Sequence, residues 1–499
     1  MVRELIAVQV GQCGNQIGRR FWQQALDEHA SNNPEGVFDD CMSTFFRNVD
    51  GRYDRDLPVG DGRQPIYNLK ARAVLVDMES GPVAETFKGP LGDLFDERQS
   101  VTDVSGSGNN WAHGHALYGP QYAEELLEAV RRSAEFCDSL QSFFLMHSMG
   151  GGTGSGLGTY LLSLLEDNFP NVYRFTTAVF PSEDDDVITS PYNTVLAMRE
   201  LTEHADCVLP VDNQSLADLA TRSSGASARQ AEAGFDGAGT KAASAADAGA
   251  GFDNMNGVVG RLLTDLTSSM RFAGDLNVDL NEITTNLVPY PRLHYLMSSL
   301  SPLPASAAHS SSDGGSARRG SVGRRASRGA RGASGKGETA ASALGNRPRH
   351  MKQMFSDAFA SSNQLMRADP RRGRFLACGL LLRGDVVVSD VNSNVERLTA
   401  ELKLVPWNRE GFKIGLCAVP PVGETQSLLA VSNNCCIRDT FGQIRDRFMQ
   451  LYARRAMVHH YTQVCVWRRH GKPWMAGKCS NVAKLSPFTR MPFWHKTRT

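Results

Sequence analysis

The chain has 499 residues with 53 basic and 53 acidic side chains, so its formal net charge is zero. Bulk charge therefore selects neither nucleic acid nor a membrane surface as a partner, and no apolar run approaches the roughly 18 residues of a membrane span. Ten scattered cysteines without a C-x-x-C pair argue against a disulfide framework or zinc ribbon and fit a reducing cytosol.

In chain order, the first 220 residues alternate strand and helix patterns, as expected of a doubly wound α/β domain. A β-rich run at Leu5–Val10 leads through Gly11-Gln-Cys-Gly-Asn-Gln16 into a helical stretch, Ile17–His29. A second strand, Ala73–Met78, ends at Asp77 and Glu79. Val101–Asp103 precedes Ser105-Gly-Ser-Gly-Asn-Asn110, and Gln121–Cys137 is helical. The apolar strand ending at Ser148 meets Gly150-Gly-Gly-Thr-Gly-Ser-Gly-Leu-Gly158, six glycines in nine positions, and then an amphipathic helix. Phe175–Phe180 and a helix over Tyr192–His204 complete the unit. Loops thus fall repeatedly at strand ends, where open parallel sheets bind ligands.

Residues 221–250 are Ala/Gly/Ser-rich and read as a low-complexity insertion that buries too little apolar surface to order itself. A long helix is predicted over Phe252–Met270, within a central 251–271 segment. Residues 303–349 form a second, basic insertion with nine Lys/Arg, including Arg318-Arg-Gly-Ser321 and Arg324-Arg-Ala-Ser327; these read as kinase sites or as ordinary basic disorder. A second α/β region, 272–440, contains helix Met351–Met366, strand Phe375–Leu382, helix Val391–Leu402 and strand Phe412–Ala418, followed by helix Arg438–His460. The final segment, 464–499, has eight Lys/Arg, no acid and no periodicity.

The glycine run has the composition of a phosphate cradle, since glycine lets backbone N–H groups approach and a helix N-terminus adds partial positive charge. It lacks the lysine of G-x-x-x-x-G-K-[ST] and the spacing of G-x-G-x-x-G. A divalent cation is the natural substitute, and Asp77 with Glu79 could hold Mg²⁺; the bland reading makes them a solvated pair or a cap. Asn15, Asn109, Asn213 and Asn256 carry amides that match guanine's donors and acceptor, although an asparagine taken singly is more often a turn or cap residue. Phe252 could stack on a base or belong to the core. Asp279 and Glu282 share one face of a helix start, so a carboxylate there could activate water or complement the helix dipole.

Gly-Gly-Gly-Thr-Gly-Ser-Gly, Gly11-Gln-Cys-Gly-Asn-Gln16 and Asn286-Leu-Val-Pro-Tyr-Pro-Arg292 together resemble the tubulin family, over residues 1–220, 251–302 and 350–463. Within it the chain is most similar to the epsilon class, through Phe45-Phe-Arg-Asn-Val-Asp50, His204-Ala-Asp-Cys-Val-Leu-Pro210, Gln353-Met-Phe-Ser-Asp-Ala-Phe359 and Leu365-Met-Arg-Ala-Asp-Pro370. The resemblance implies a GTP-binding domain over 1–220, a central helix, a second α/β domain and a C-terminal helix over 441–463. It implies GTP or GDP with Mg²⁺ on Glu79 and Asp77. Gln12 and Cys13 would line the phosphate and base side, Asn15 would contact guanine, and Asn109 would approach the γ-phosphate. Ser148, Gly152, Thr153 and Gly154 would wrap the phosphates. Asp186 and Asn213 would lie near ribose and base, with Phe252 stacking on guanine and Asn256 bonding to it.

The family's acidic ribose contact falls here on Ser190, and its stacking tyrosine on Phe252. Glu282 would act as the catalytic carboxylate on the nucleotide of a neighbouring subunit, so that GTPase activity needs assembly. Implied partners are other tubulins end to end and centriolar or microtubule proteins, with no nucleic acid and no membrane. The implied location is the cytoplasm and cytoskeleton, at the centriole or basal body. Two departures stand out. The 303–349 insertion falls where the family carries its lateral-contact loop and the following edge strand, and the 464–499 tail, where the family has a surface helix, reads as a translated intron or frameshift or as a divergent tail.

Overall fold

Seven consecutive buried residues, Glu4–Val10, form strand β1 at the middle of a six-stranded sheet in the computed structural model. The structure describes all residues except 1–2, 37–39, 51–54, 58–65, 67, 184, 232–244, 273, 304–350 and 467–499. The basic insertion and nearly all of the atypical tail thus lie outside the described residues, as do the two serine motifs.

A strand reads as a continuous apolar run when both faces of a parallel sheet are covered, and β1 does. Its side chains alternate between two cores: Leu5 and Ala7 pack with Phe144 and Met146, while Ile6, Val8 and Val10 pack with Phe143 and Leu145. The other members are β5 (Ala73–Asp77), β6 (Ser100–Thr102), β7 (Leu140–Ser148), β8 (Tyr173–Phe180) and β9 (Cys207–Asp212). The order is β6-β5-β1-β7-β8-β9, and every pairing is parallel. Chain direction across the sheet reverses between β1 and β7, a topological switch point. A small antiparallel sheet of β2 (Phe46–Asp50), β3 (Arg55–Leu57) and β4 (Leu69–Ala71) lies in the segment between β1 and β5.

Helix α1, Gly11–Asn32, buries Ile17, Phe21, Trp22 and Ala25 at helical spacing. Trp22 meets Phe21, Phe45 and Phe46 edge-on at 5.0–5.8 Å. Helix α2 (Ser80–Lys88) follows β5, α3 is Ala123–Glu135, α4 Gly158–Asn168 and α5 Ser190–His204. Two long helices then cross the domain, α6 (Asn213–Ala231) and α7 (Ala245–Leu266). Val258, Val259, Leu262, Leu263 and Leu266 of α7 join the same core as Leu381, Leu429 and Val431 of a second sheet. That sheet has the order β10-β13-β11-β12: β10 (Met297–Ser301), β11 (Phe375–Gly384), β12 (Phe412–Cys417) and β13 (Gln426–Asn434). Around it lie α8 (Leu280–Leu287), α9 (Met351–Ala358) and α10 (Val388–Glu401). Helices α11 (Ile437–Ala453) and α12 (Val458–Val466) finish the described chain by packing Phe448 and Tyr461 on Tyr192 of α5.

Several expected boundaries move. Residues 221–231 and 245–250, expected to belong to an unordered insertion, are helical, because α6 and α7 are already nucleated by their packed apolar segments and adding residues to an existing helix costs little. The helix expected over Met351–Met366 stops at Ala358. The predicted Arg438–His460 helix breaks at 454–457, where Arg455 and Met457 take positive φ. The described cysteines form no disulfide, and no described helix is long and apolar enough to cross a membrane.

The two sheets and α7 meet at a buried ionic cluster. Glu28 of α1 accepts from Arg271 Nη2 at 2.6 Å and from Arg383 Nη1 of β11 at 2.8 Å. Arg383 also reaches Asp265 of α7 at 2.8 Å, and Arg261 joins Asp265 to Glu424, each at 2.9 Å. Burial alone would raise the Glu28 carboxyl, but the two guanidiniums outweigh it and hold it down at about 2. Its contribution to stability is therefore complete above the usual carboxylate range and is lost as pH falls toward 2. Arg383→Met takes one of two guanidinium partners from each of two buried carboxylates, Glu28 and Asp265, and is expected to lower stability by about 3 kcal/mol, read as an earlier urea midpoint. The exposed change Arg131→Met should leave that midpoint within error.

Candidate functional site

At the switch point the chain passes from β1 into α1 and from β7 into the glycine run, so both strand-to-helix turns open on one crevice. Gly11 takes φ +74°, and a Cβ built on it would lie 3.2 Å from the Gly154 nitrogen. Helix α1 begins directly at Gly11 rather than at Ile17 as expected; it has no side-chain cap and no acid in its first turn. On the other side only 149–152 form an open bend. From Thr153 the chain is already helical, with one π-type turn, Thr153–Leu157, before α4, and this start is uncapped too. Two helix N-termini with unspent N–H groups thus converge on one point, the electrostatic requirement for an anion.

The glycines there are required by contact. A Cβ on Gly152 would sit 2.5 Å from Ser107 Oγ and 2.6 Å from the Asn110 nitrogen, and one on Gly154 2.9 Å from Ser148 oxygens. Thr153 and Ser107 share a hydrogen bond of 2.8 Å, tying the 105–110 loop to the glycine run. Asn109 is exposed with φ +52°, and its Oδ1 lies 3.8 Å from the position of a Gly151 Cβ, at the mouth of the crevice.

The remaining sequence candidates divide. Gln12 is exposed and Cys13 partly buried in the first turn of α1. Asn15 is 1% exposed and donates to the carbonyls of Gly11 at 3.0 Å and Val76 at 3.4 Å. Its Nδ2 thus braces the loop, while its Oδ1 has no hydrogen-bond partner. Asn213, partly buried, starts α6 just after Asp212, which accepts from Ser215. Helix α7 runs beside α1, with Arg20 paired to Asp253 and Gln24 Nε2 donating to the Gly257 carbonyl at 3.0 Å. On it Phe252, 57% exposed, and Asn256, four residues on, share a face. Asp186 is exposed on the loop before α5, whereas its neighbour Asp185 accepts from Ser190 beside Gly150.

Asp77 fits a divalent cation. It is 3% exposed, its Oδ1 accepts from the Glu79 nitrogen at 3.3 Å, and its Oδ2 has no hydrogen-bond partner. Burial pushes its carboxyl up to about 7, a cost that a bound cation would reverse. Exposed Glu79 stands beside it, with Oε1 2.8 Å from the Cβ position of Gly106. Asp279 and Glu282 lie in the other sheet's territory. Asp279 is the N-cap of α8, accepting from the Glu282 nitrogen at 2.6 Å and from Gln141 at 3.1 Å, and it pairs with Arg3. It is structural, and Glu282 alone projects outward, held by Lys413 Nζ at 2.5 Å.

Sequence reasoning missed Asn193. It is fully buried and uses its whole amide: Nδ2 donates to the carbonyls of Asn109 at 2.8 Å and Gly150 at 2.7 Å. Its Oδ1 accepts from the Trp111 nitrogen at 2.9 Å and from Tyr461 OH at 2.6 Å. One side chain therefore fastens the 105–110 loop, the glycine run and α12. Its only sequence signal is its place in the first turn of α5, in Ser190-Pro-Tyr-Asn193.

Comparison with known proteins agrees with this geometry. Residues 4–221 match the GTPase domain of the Tubulin/FtsZ family, and residues 339–446 match the tubulin C-terminal domain. The mouse tubulin epsilon chain is 51% identical over 472 residues, covering 92% of this chain and 90% of that protein; the human tubulin epsilon chain is 50% identical over the same shares. A tubulin beta-1 chain from Colletotrichum graminicola is 32% identical over 464 residues, 92% of this chain and 89% of its own. The chain belongs to the tubulin family.

Proposed function

We propose that this chain binds GTP or GDP in the crevice between β1 and β7 and serves as a structural subunit of specialised microtubules, at centrioles or basal bodies. The observation that carries the nucleotide reading is the meeting of two uncapped helix starts at Gly11 and Gly154. Backbone N–H groups of Gly152–Gly154 take the place of a lysine around the phosphates, with Ser148, Thr153 and Asn109 bounding them. Asp77 and Glu79 would hold Mg²⁺, which when bound supplies the positive charge that the loop lacks. Phe252, being exposed, offers its face to guanine, and Asn256 and Asn213 offer amides to the base edge.

Hydrolysis is completed between subunits. Glu282 sits on α8 of the second domain and would orient water at the nucleotide of the next subunit along a filament. The centriolar assignment is supported by the similarity to epsilon chains, stronger than that to the beta-1 chain. Confinement of a tagged chain to centrioles is its expected outcome; incorporation along whole microtubules would favour a general lattice subunit.

Gly154→Val fills the cradle and is expected to weaken binding of a fluorescent GTP analogue by at least about tenfold. Asp77→Ala should remove the gain in nucleotide affinity that Mg²⁺ confers, so that titrations with and without EDTA coincide. Glu282→Ala should leave nucleotide affinity unchanged while abolishing phosphate release in reconstituted assemblies; unchanged turnover there refutes the interface role.

A further inference from the structure

The C-terminal end of α5, away from the crevice, carries a cluster that nucleotide binding does not use. Ligand atoms of Glu200, Glu203 and His204 all lie within 4.8 Å of one another. We propose that Glu200, Glu203 and His204 Nε2, with His115 beside them, form a binding site for a zinc-class divalent transition-metal ion.

The spacing suits one ion. Two ligands at about 2.0–2.1 Å from a tetrahedral zinc lie about 3.3 Å apart. His204 Nε2 and Glu200 Oε2 are separated by 3.4 Å. The tautomer is set as well. Glu166 on α4 pairs with His204 Nδ1, the carboxylate–imidazole arrangement that leaves Nε2 free to coordinate. Glu200 is 3% exposed, and among the described residues its ion-pair partners are the two imidazoles.

His115 supplies the independent pointer to a ligand. It is 6% exposed, and neither ring nitrogen has a hydrogen-bond partner. Its ring stacks on Trp111 at 4.4 Å and meets Tyr160 edge-on, which aims Nε2 at Glu200 Oε2 across 3.8 Å, too far for a hydrogen bond. A buried imidazole with neither nitrogen bonded, and one of them facing a carboxylate, needs a partner, and a metal or its bound water provides one on the Nε2 side. Imidazole with carboxylates selects zinc-class ions over Mg²⁺ or Ca²⁺, which take oxygen ligands. Access is from solvent past Glu203, whose side chain is 41% exposed and shared with Arg199 at 3.6 Å. The competing state is metal-free, with a protonated His204 bridging Glu166 and Glu200.

The test uses the full chain saturated with nucleotide and excess Mg²⁺, titrated with Zn²⁺ and then Co²⁺. Wild type is expected to take up one more equivalent of zinc than His204→Gln or the exposed-site variant Glu203→Ala. Bound Co²⁺ should show the intense visible absorption of four- or five-coordination without thiolate charge transfer. Glu166→Gln, acting through His204, should weaken affinity about tenfold. Circular dichroism and nucleotide binding, unchanged in Glu203→Ala, separate loss of the metal from loss of the fold. Equal zinc uptake by wild type and both ligand variants, or only the weak spectrum of six-coordinate Co²⁺, overturns the site.

Discussion

Glu28 and its two arginines are the junction on which the rest of the molecule hangs. Arg271 and Arg383 side chains are wholly buried, and removing such ions from water costs several kcal/mol each. The cost is met because nearly every group is matched: Arg383 also donates to the Val419 carbonyl at 3.1 Å, and Arg271 to that of Thr264 at 2.8 Å. What matters is where these residues come from. Glu28 belongs to α1, Asp265 to α7 and Arg383 to β11, so one cluster ties the nucleotide domain, the central helix and the second sheet. Leucines at this junction could slide past one another at small cost. A guanidinium displaced by the same amount leaves a carboxylate uncompensated in a dry interior. The ionic cluster therefore sets a single register among three elements.

Helix α1 carries that register to the crevice. Its 22 residues span about 33 Å, with Gly11 at the switch point and Glu28 in the last turns. The loop that would meet a nucleotide is thus the first turn of a rigid rod anchored at its far end. Asn193 fixes the opposite wall, since its amide joins the 105–110 loop, the glycine run and α12. A phosphate cradle can dispense with lysine only if its backbone donors are held without play, and these two devices hold them.

The glycine run, the alternation of strands and helices before residue 220 and the central helix were legible because each is a strong local signal. Strand β13 was not. Its run Ser-Leu-Leu-Ala-Val-Ser-Asn-Asn ends in polar residues that are buried only because neighbouring strands and loops satisfy them; Asn433, for instance, donates to the Leu287 and Leu293 carbonyls. Strand β10, Met-Ser-Ser-Leu-Ser, was hidden because three of its five buried residues are serines, which carry no apolar alternation. In the site, the glycines and the buried Asp77 carry their chemistry in their type and position. Asn193 does not, because an asparagine that braces backbone and one that reads a base look alike until their neighbours are known.

The division between a cradle and a distant carboxylate has a physical logic of its own. On the proposed reading the crevice binds without spending, since a group able to activate water is kept on α8 in the second domain. There Asp279 is already consumed as a cap, bonded to the Glu282 nitrogen, Gln141 and Arg3, so its oxygens are engaged within the chain. Glu282 points outward, with Lys413 against it. That pair is about one-third exposed on each side, where solvent screening makes it worth little. A subunit docking over α8 can therefore displace the lysine cheaply, and burial by the same contact would strengthen whatever the freed carboxylate then does. A weak, exposed ion pair at this position is what a site completed by assembly requires: strong enough to order Glu282 in the free chain, too weak to hold it back once a neighbour arrives.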